Sequence, residues 1–245
     1  MKAIILAAGE GSRLRPYTLD RPKCLVEVDG RSLLDRQLDV LALGNINPIM
    51  LIGGYRAEML RREGIELRIN SLYAETNMVW TLFCAEADLN SDVIVSYGDI
   101  VYSREVLRTL LRSKADISVT IDLDWEHYWR ARNENPLDDA ETLKLSSEGR
   151  IIEIGQKPKS LEEIEGQYMG LMKFTPRFFD ELIKWAEQNE AILNKTDMTT
   201  LLRHFLQAGH TIKCEPAKES WFEVDTETDL NIANRWFEDG RFNEE

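Results

Sequence analysis

Four short apolar runs, each separated from the next by a stretch with helical spacing, occupy the first half of the chain. They lie at residues 2–7, 48–52, 93–97 and 117–123. Their apolar residues are continuous, which is typical of strands buried on both faces of a parallel sheet. Between the runs, Leu34, Leu38 and Leu41 share one helix face, and Ser103 is a predicted helix cap. This alternation predicts an α/β fold with a mixed, mostly parallel sheet flanked by helices.

The second half of the chain has shorter strands and longer loops. Three strands are predicted there at residues 142–145, 150–154 and 168–174. Three helices are predicted after them at residues 176–186, 198–208 and 227–237. No internal repeat or low-complexity linker interrupts the chain. We therefore predict a single domain over residues 1–238, with a small insertion near the sheet edge, and a charged tail at 239–245 that frays.

The acidic composition narrows the classes of partner. Lys and Arg number 30 against 43 Asp and Glu, a net charge of -13, which disfavours binding to nucleic acid or to an anionic membrane. No stretch approaches the roughly 18–20 apolar residues of a membrane span, and no signal peptide is indicated. Cys24, Cys84 and Cys214 show no C-x-x-C spacing, so neither a disulfide framework nor a zinc site is predicted. A cytoplasmic setting is the simpler expectation.

The most informative segment follows the first strand and reads L-A-A-G-E-G-S-R-L-R-P-Y-T-L-D-R-P-K. Gly9 and Gly11 come directly after the carboxyl end of that strand, where open α/β sheets bind ligands. Four cations gather in this short part of an acidic chain, at Arg13, Arg15, Arg21 and Lys23. Glycines let backbone N–H groups approach phosphates, and cations neutralise their charge, so the segment predicts a polyphosphate site. A surface turn with incidental arginines is the alternative.

Two well-known phosphate loops do not fit this segment. A Walker A loop needs four residues between its glycines and then Gly-Lys-Ser/Thr, and a dinucleotide-binding loop needs a third glycine where Leu14 stands. The spacing G-x-G-x-R, followed by Pro22 and Lys23, resembles instead the nucleotidyltransferases that activate sugar phosphates and other small phosphates. The resemblance implies their Rossmann-like fold, the nucleotide-diphospho-sugar transferase type. It also implies a nucleotide-binding half at 1–124 and an acceptor-binding half at 125–238.

The same resemblance implies roles for the loop. In that family the loop wraps a nucleoside triphosphate, so Arg13 and Lys23 are expected to be catalytic residues that contact the phosphates. The expected nucleotide-binding residues are Leu6, Ala7, Ala8, Gly9, Gly11, Ser12, Arg13, Lys23, Asn77 and Gly98. Asn77 is the candidate for orienting the base or the acceptor, and a helix-start residue beside Thr76 is its alternative role.

Two aspartates are predicted to hold Mg²⁺ and to complete the catalytic set. Asp99 ends the buried run S-Y-G-D, and Asp225 follows a short strand in W-F-E-V-D-T. Strand ends converge on the ligand crevice, and magnesium prefers one or two carboxylates with phosphate oxygens and water. The family resemblance assigns the same two positions as metal ligands. The alternatives are that Asp99 caps the following turn and that Asp225 caps the last helix.

Several segments resemble one branch of this family. The stretches Y-A-E-T-N-M-V-W-T-L, D-W-E-H-Y-W-R-A-R, N-P-L-D-D-A-E-T-L-K and E-G-Q-Y-M-G-L look like those of cytidylyltransferases for phosphocholine, 2-aminoethylphosphonate and phosphoglutamine. CTP is the expected nucleotide on that ground alone. Lys157, in I-G-Q-K-P, resembles the lysine that the family places on the acceptor phosphate, although Gln156 stands where sugar-nucleotide members usually carry Glu. A solvated loop lysine is the alternative for Lys157.

An acceptor with a cationic or zwitterionic head group would be recognised by aromatic faces and carboxylates. Trp125 and Trp129, together with Tyr128, Asp122 and Asp124, could supply both, although aromatic residues at this spacing are more often part of the core. Asp197 is a further carboxylate, with helix capping as its alternative role. The acceptor-binding residues predicted in all are Asp122, Trp125, Trp129, Lys157, Gln167, Tyr168 and Asp197.

The predicted reaction couples CTP to a small phosphate or phosphonate, gives a CMP-linked product and pyrophosphate, and uses Mg²⁺. A phosphate monoester is largely dianionic at pH 7, so no general base is needed. Two alternatives stay open: a sugar-1-phosphate nucleotidylyltransferase that uses UTP, dTTP or GTP, and a catalytically silent nucleotide-sensing subunit. The sequence does not identify the acceptor. A homodimer also stays open, because the apolar residues of 125–185 could be core or interface.

Overall fold

The computed structural model describes residues 1–218, 220–242 and 244. The strands are β1 (Lys2–Ala7), β2 (Glu27–Val28), β3 (Arg31–Ser32), β4 (Ile49–Gly53), β5 (Glu66–Ile69), β6 (Val93–Tyr97), β7 (Ile100–Tyr102), β8 (Ile117–Asp122), β9 (Leu143–Leu145), β10 (Arg150–Ile154), β11 (Gln167–Phe174), β12 (Ile212–Ala217) and β13 (Trp221–Glu223). The α-helices are α1 (Leu33–Leu43), α2 (Met78–Phe83), α3 (Arg104–Arg112), α4 (Trp125–Arg132), α5 (Pro176–Gln188), α6 (Glu190–Leu193), α7 (Met198–Gln207) and α8 (Glu227–Glu238).

A nine-stranded sheet lies at the centre of the fold, in the order β5-β4-β1-β6-β11-β8-β12-β10-β9. β1 pairs in parallel with β4 and β6, and β8 pairs in parallel with β12. β11 runs antiparallel between β6 and β8, and β10 runs antiparallel between β12 and β9. The predicted mixed, mostly parallel sheet is confirmed. Its consequence for function is that β1, β6 and β8 end at the same edge.

Helices cover both faces of this sheet because successive side chains along each strand point to opposite sides. The fully buried Ile4 belongs to a core that also contains residues of α2, α5 and α7. Its neighbour Ile5 belongs to a second core that contains residues of α1, α3, α4 and α8. The continuous apolar run of β1 is therefore explained by burial on two faces.

Three features of the sheet differ from the sequence expectation. β5 and β12 were missed because their sequences, E-L-R-I and I-K-C-E-P-A, are short and mix polar residues with apolar ones. β7 and β13 form a separate two-stranded sheet that joins residues far apart in sequence. The predicted insertion extends the main sheet, with β9 and β10 at its far edge. The division into a nucleotide half and an acceptor half stays a prediction.

The charged tail packs against the domain where the structure describes it. Phe242 is 5% exposed, and its ring lies 5.0 Å from that of Phe222. Glu244 Oε1 accepts a hydrogen bond from Arg36 Nη1 at 2.6 Å. The prediction that the tail frays is therefore wrong at these two residues, while residues 243 and 245 lie outside the described ones. Across the described ranges, no helix combines the length and the apolar character that crossing a membrane requires.

Candidate active site

Three chain segments meet at the carboxyl edge of the sheet: the one that follows β1, the one that follows β6 and the one that follows β13. The backbone N–H of Gly98 donates to the carbonyl of Leu6 at 2.9 Å, which joins the ends of β6 and β1. A Cβ at position 98 would lie 2.9 Å from that same carbonyl, so the close approach requires glycine. The antiparallel pairing of β7 with β13 then brings Asp99, which precedes β7, close to Asp225, which follows β13.

Lys23 lies between these two aspartates. Its Nζ donates to Asp99 Oδ2 at 2.6 Å and also to Asp225 Oδ1. Arg13 Nη2 donates to the other oxygen of Asp225 at 2.8 Å. The side chain of Lys23 is 12% exposed, whereas that of Arg13 is 64% exposed. The four residues predicted to be catalytic therefore form one contiguous cluster, which we call the Lys23 cluster.

The opposite charges of this cluster favour one another's ionised forms. Burial opposes the charged form of Lys23, but the two carboxylates outweigh it and raise the pKa of the ammonium. Burial likewise acts to raise the pKa of Asp225, yet the positive charge of Lys23 lowers it below the ordinary value. Lys23 and Asp225 are thus an ion pair at neutral pH.

The glycine-rich loop has the shape that Lys23 requires. Gly11 has φ +65, a left-handed conformation that side chains disfavour, and a Cβ there would lie 2.9 Å from Lys23 Cβ. Leu14, where a dinucleotide loop would carry glycine, is fully buried in the core. Arg15, another cation of the loop, pairs with Glu10 at 3.3 Å.

The two aspartates fit a divalent cation. Asp99 Oδ1 is buried and has no hydrogen-bond partner among the described residues. The pair already holds a positive charge, the ammonium of Lys23, between its oxygens. In residues 1–218, 220–242 and 244, no group of three or more His, Cys, Asp or Glu side chains forms a metal site. Two carboxylates completed by phosphate oxygens and water would satisfy such a cation.

Asp225 is held in place by the start of α8. Its backbone N–H donates to Asp229 Oδ2 at 3.0 Å, and Asp229 forms a reciprocal capping box with Thr226. Arg132 Nε donates to the second oxygen of Asp229 at 2.8 Å. Thr226, and not Asp225, is the N-cap of α8, which leaves the Asp225 carboxylate free to face the Lys23 cluster.

We expect Thr226→Ala to lower the free energy of unfolding by about 1 kcal/mol, because it removes a helix N-cap. Urea unfolding monitored by circular dichroism measures this loss. Thr109→Ala is the matched control, since Thr109 lies inside α3 and its hydroxyl donates to the Glu105 carbonyl of the same helix. Equal midpoints for the two variants would contradict the assignment of the capping box.

A cavity of about 190 Å³ opens beside the Lys23 cluster. Among the predicted nucleotide-binding residues it is lined by Leu6, Ala7, Ala8, Gly9, Lys23, Asn77 and Gly98. Gly11, Ser12 and Arg13 lie outside this lining, on the adjoining loop. The sequence reasoning missed Cys24, Tyr73, Thr76, Met78, Thr81 and Tyr97, which also line it. Cys24 and Tyr97 are sequence neighbours of the predicted residues Lys23 and Gly98, whereas Tyr73 and Thr76 lie between β5 and α2, and Met78 and Thr81 lie in α2, where no residue pattern marks a ligand site.

Asn77 has a structural role at this cavity. Its Oδ1 accepts from the backbone N–H of Met78 at 2.7 Å, and it is the N-cap of α2. Its Nδ2 lies 3.4 Å from the carbonyl of Lys195. The capping alternative is therefore observed, and contact with the base or the acceptor stays a prediction.

A group of polar side chains continues from the cavity along the sheet edge. The rings of Tyr97 and Tyr168 meet edge to face, with centroids 5.7 Å apart. Gln167 Nε2 donates to the carbonyl of Glu141 at 2.6 Å. We call Tyr168, Gln167, Glu141 and Asp197 the acidic wall.

The two carboxylates of the acidic wall share a hydroxyl. Thr199 Oγ1 lies 3.1 Å from Asp197 Oδ1 and 3.3 Å from Glu141 Oε1. Asp197 is also the N-cap of α7 and accepts from the N–H of Thr200 at 2.6 Å. Glu141 lies in the stretch N-P-L-D-D-A-E-T-L-K, but the sequence analysis did not single it out because no periodic pattern marks it within that loop.

The remaining predicted acceptor residues lie elsewhere. Lys157 Nζ donates to the carbonyls of Asp138, at 2.7 Å, and Leu137, both in the neighbouring loop. Trp125 and Trp129 are each 4% exposed and pack edge to face in the core. Burial leaves neither indole an open face, so the prediction that these two residues contact the acceptor is not kept. Asp122 is 3% exposed and accepts from Trp221 Nε1 at 3.0 Å.

A cation-bearing glycine loop beside paired carboxylates, at the carboxyl edge of an α/β sheet, is the arrangement expected of enzymes that transfer groups from nucleoside triphosphates. Residues 3–153 match the model of the MobA-like NTP transferase domain family. The chain belongs to this family, and it is a nucleotidyltransferase, as the sequence resemblance predicted. Members of the family generally use a divalent metal.

Individual relatives confirm the branch that the sequence resembles. The chain is 38% identical to a CTP:phosphoglutamine cytidylyltransferase of Campylobacter jejuni over 95% of this chain and 98% of the relative. It is 35% identical to a choline-phosphate cytidylyltransferase of Streptococcus pneumoniae over 46% of this chain and 51% of the relative. The solved inositol-1-phosphate CTP transferase from T. maritima matches with a TM-score of 0.76 at 20% identity, covering 95% of this chain and 93% of that one. This last likeness concerns the fold alone.

Proposed function

We propose that this chain is a Mg²⁺-dependent cytidylyltransferase that couples CTP to a small phosphorylated non-sugar bearing an ammonium group, with phosphoglutamine as the first candidate. The observation that carries the proposal is the 38% identity, over nearly the full length of both chains, to a relative of that activity. The Lys23 cluster, the adjoining cavity and the acidic wall supply the chemistry that such a reaction needs.

The chemical step is a displacement at the α-phosphorus of CTP. An oxygen of the acceptor phosphate attacks that phosphorus and forms the new P–O bond. The bond from the α-phosphorus to its bridging oxygen breaks, and pyrophosphate leaves with the electron pair. The acceptor phosphate is dianionic at neutral pH, so the chain has to align reactants and stabilise charge without removing a proton.

Lys23 and Arg13 are placed to stabilise the charge that develops on the departing pyrophosphate. Both side chains already bind anionic oxygens, those of Asp99 and Asp225, and phosphate oxygens have the same chemistry. Asp99 and Asp225 would hold the Mg²⁺, which, when bound, polarises the phosphates and offsets their charge. The exposure of Arg13 lets its guanidinium move toward a bound triphosphate.

The acidic wall is suited to the ammonium group of the acceptor. Glu141 and Asp197 bring two carboxylates together beside Tyr168, whose ring in turn contacts the Tyr97 that lines the nucleotide cavity. An ammonium group bound there would be neutralised by the carboxylates and would contact an aromatic ring. A sugar phosphate has no cation to offer these two acids, which favours the non-sugar acceptor.

We expect Glu141→Gln to raise the KM for an ammonium-bearing acceptor about tenfold, because a charge-assisted hydrogen bond contributes about 1.5 kcal/mol. The KM for CTP should not change. Glu134→Gln is the control, since Glu134 is exposed and its replacement removes the same charge. Steady-state kinetics with each substrate varied in turn separates the two constants, and a rise in the KM for CTP alone would contradict this role.

The same residue predicts a pH dependence. Burial, followed by the negative charge of Asp197, raises the pKa of Glu141 above its ordinary value. As pH falls, Glu141 takes up a proton and loses its charge earlier than an exposed glutamate, so the KM for the acceptor should rise. Glu141→Gln should flatten this part of the profile, and an unchanged profile in that variant would assign the titration to another group.

The proposed function is tested by pyrophosphate release with Mg²⁺ and each of the four NTPs. The acceptors are phosphoglutamine, phosphocholine, 2-aminoethylphosphonate and glucose-1-phosphate. Release with CTP and an amine-bearing acceptor is the expected result. Release only with glucose-1-phosphate would replace the proposal by a sugar nucleotidylyltransferase, and CTP binding without release would indicate a nucleotide sensor.

A further inference from the structure

A buried glutamine interrupts the apolar face of α1. Leu34 and Leu41 on that face are fully buried, and Gln37, which lies between them, is 1% exposed. The three positions are three and four residues apart, so they share one side of the helix. A buried amide costs free energy unless its polar atoms are hydrogen-bonded. The partners of Gln37 therefore decide what a polar side chain does at the centre of this apolar face.

Both polar atoms of the Gln37 amide have partners. Its Nε2 donates to the carbonyl of Tyr97 at 3.0 Å and to the carbonyl of Ile100 at 2.8 Å. Its Oε1 accepts from the hydroxyl of Ser96 at 2.7 Å, and Ser96 is itself fully buried. A reversed amide would set its oxygen against two carbonyl oxygens, which cannot donate. The network therefore fixes the amide in one orientation.

The two carbonyls that accept from Gln37 flank Gly98 and Asp99. We call residues 97–100, which connect β6 to β7, the Asp99 turn. The backbone of the turn makes two further bonds. The N–H of Gly98 donates to the carbonyl of Leu6 at 2.9 Å, and the carbonyl of Asp99 accepts from the N–H of Val224 at 3.0 Å. Gln37 bonds both ends of the turn through one side chain, so it fixes one end relative to the other.

We propose that Gln37 is a positioning residue for Asp99. By holding both ends of the Asp99 turn, it sets the direction in which the Asp99 carboxylate leaves the backbone, toward Lys23 Nζ at 2.6 Å. Among the described residues, those that line the nucleotide cavity do not include Gln37, so it acts through Asp99. Partners that orient a metal ligand commonly contribute about 10- to 100-fold to metal affinity or activity. The proposal rests on the place of Asp99 in the proposed function.

Hydrogen–deuterium exchange of the metal-free full chain, followed by NMR, tests this positioning without turnover. Gln37→Met keeps an unbranched side chain of similar size and removes the three hydrogen bonds of the amide. We expect the amides of Gly98 and Val224 to exchange about tenfold faster, while the amides of β8 keep their rates. Ser118→Ala is the matched control, since it removes a buried hydrogen bond, to Ser113 Oγ, near the amino end of β8.

Kinetics supply the second measurement. At fixed CTP, Gln37→Met should raise the Mg²⁺ concentration for half-maximal pyrophosphate release about tenfold and leave the KM for the acceptor unchanged. Ser118→Ala should change neither quantity. Ser96→Ala removes the donor that orients the amide, so it should shift exchange and Mg²⁺ requirement in the same direction by a smaller factor. This variant keeps the test decisive if Gln37→Met fails to fold.

Two results would overturn the proposal. One is exchange at Gly98 and Val224 that quickens no more than in β8, since a general loss of stability would affect all these amides alike. The other is a folded Gln37→Met chain with the rate and the Mg²⁺ requirement of the wild type. Failure of the proposed function looks different, because the wild-type chain would then release no pyrophosphate with any acceptor. In that case the exchange rates still decide whether Gln37 holds the Asp99 turn.

Discussion

Replacing Lys23 by alanine is expected to lower kcat/KM for pyrophosphate release by about 10²- to 10³-fold, the usual loss when one preorganised donor to a transition-state charge is removed. Lys23 is the one side chain that contacts both Asp99 and Asp225 in the described structure. Its loss removes a largely buried ammonium group, which the two carboxylates keep protonated. Steady-state kinetics with saturating Mg²⁺ measures the effect.

The control for this variant is Lys159→Ala, which removes an exposed loop lysine and should leave kcat/KM unchanged. Lys23→Arg tests whether charge alone suffices, and we expect partial activity because a guanidinium cannot replace a compact ammonium between two carboxylates. Circular dichroism establishes that the variants fold. Turnover within a few-fold of wild type in folded Lys23→Ala would remove Lys23 from the reaction.

Asp99→Asn is expected to lower kcat/KM on the order of 10³-fold, because stabilisation by a metal ion contributes several kcal/mol and this change weakens its ligand set. The substitution keeps the shape of the side chain and removes one charge. It also alters Asp99 Oδ1, the buried oxygen that has no partner among the described residues. Titration with Mg²⁺ at fixed CTP should show a higher metal concentration for half-maximal rate.

Asp92→Asn is the matched control for Asp99→Asn. Asp92 lies at the opposite end of β6, and its carboxylate is 4.0 Å from Lys173 Nζ. It should retain the wild-type rate and metal dependence. If Asp99→Asn kept the wild-type requirement for Mg²⁺ and lost less than about tenfold in rate, Asp99 would not be a metal ligand.

The strand order of the central sheet could be anticipated only in part. Runs such as 2–7 and 93–97 are recognisable because burial on two faces demands continuous apolar residues. β12 contains Lys213, Glu215 and Pro216, so nothing in its sequence marks a strand that pairs in parallel with β8. Pairing between β7 and β13 depends on contacts distant in sequence, which no local pattern encodes.

The Lys23 cluster was more predictable than the acidic wall for a physical reason. A loop that binds phosphates concentrates glycines and cations in a short segment, so Arg13 and Lys23 are visible together. Asp197 was a candidate by itself, and Glu141 lies in the stretch N-P-L-D-D-A-E-T-L-K, but the two carboxylates meet only in the fold, through Thr199. Trp125 and Trp129 show the opposite error, because aromatic residues suit a cation site and a core equally well until burial is known.

The central claim is that the chain joins CMP to the phosphate of a small amine-bearing molecule. The most direct measurement is ³¹P NMR of a reaction containing the chain, CTP, Mg²⁺ and phosphoglutamine. We predict two new, mutually coupled resonances from a P–O–P linkage, growing in equal amount with inorganic pyrophosphate and absent with Lys23→Ala. Unchanged CTP with every amine-bearing acceptor, alongside coupled resonances with glucose-1-phosphate and another NTP, would contradict the claim.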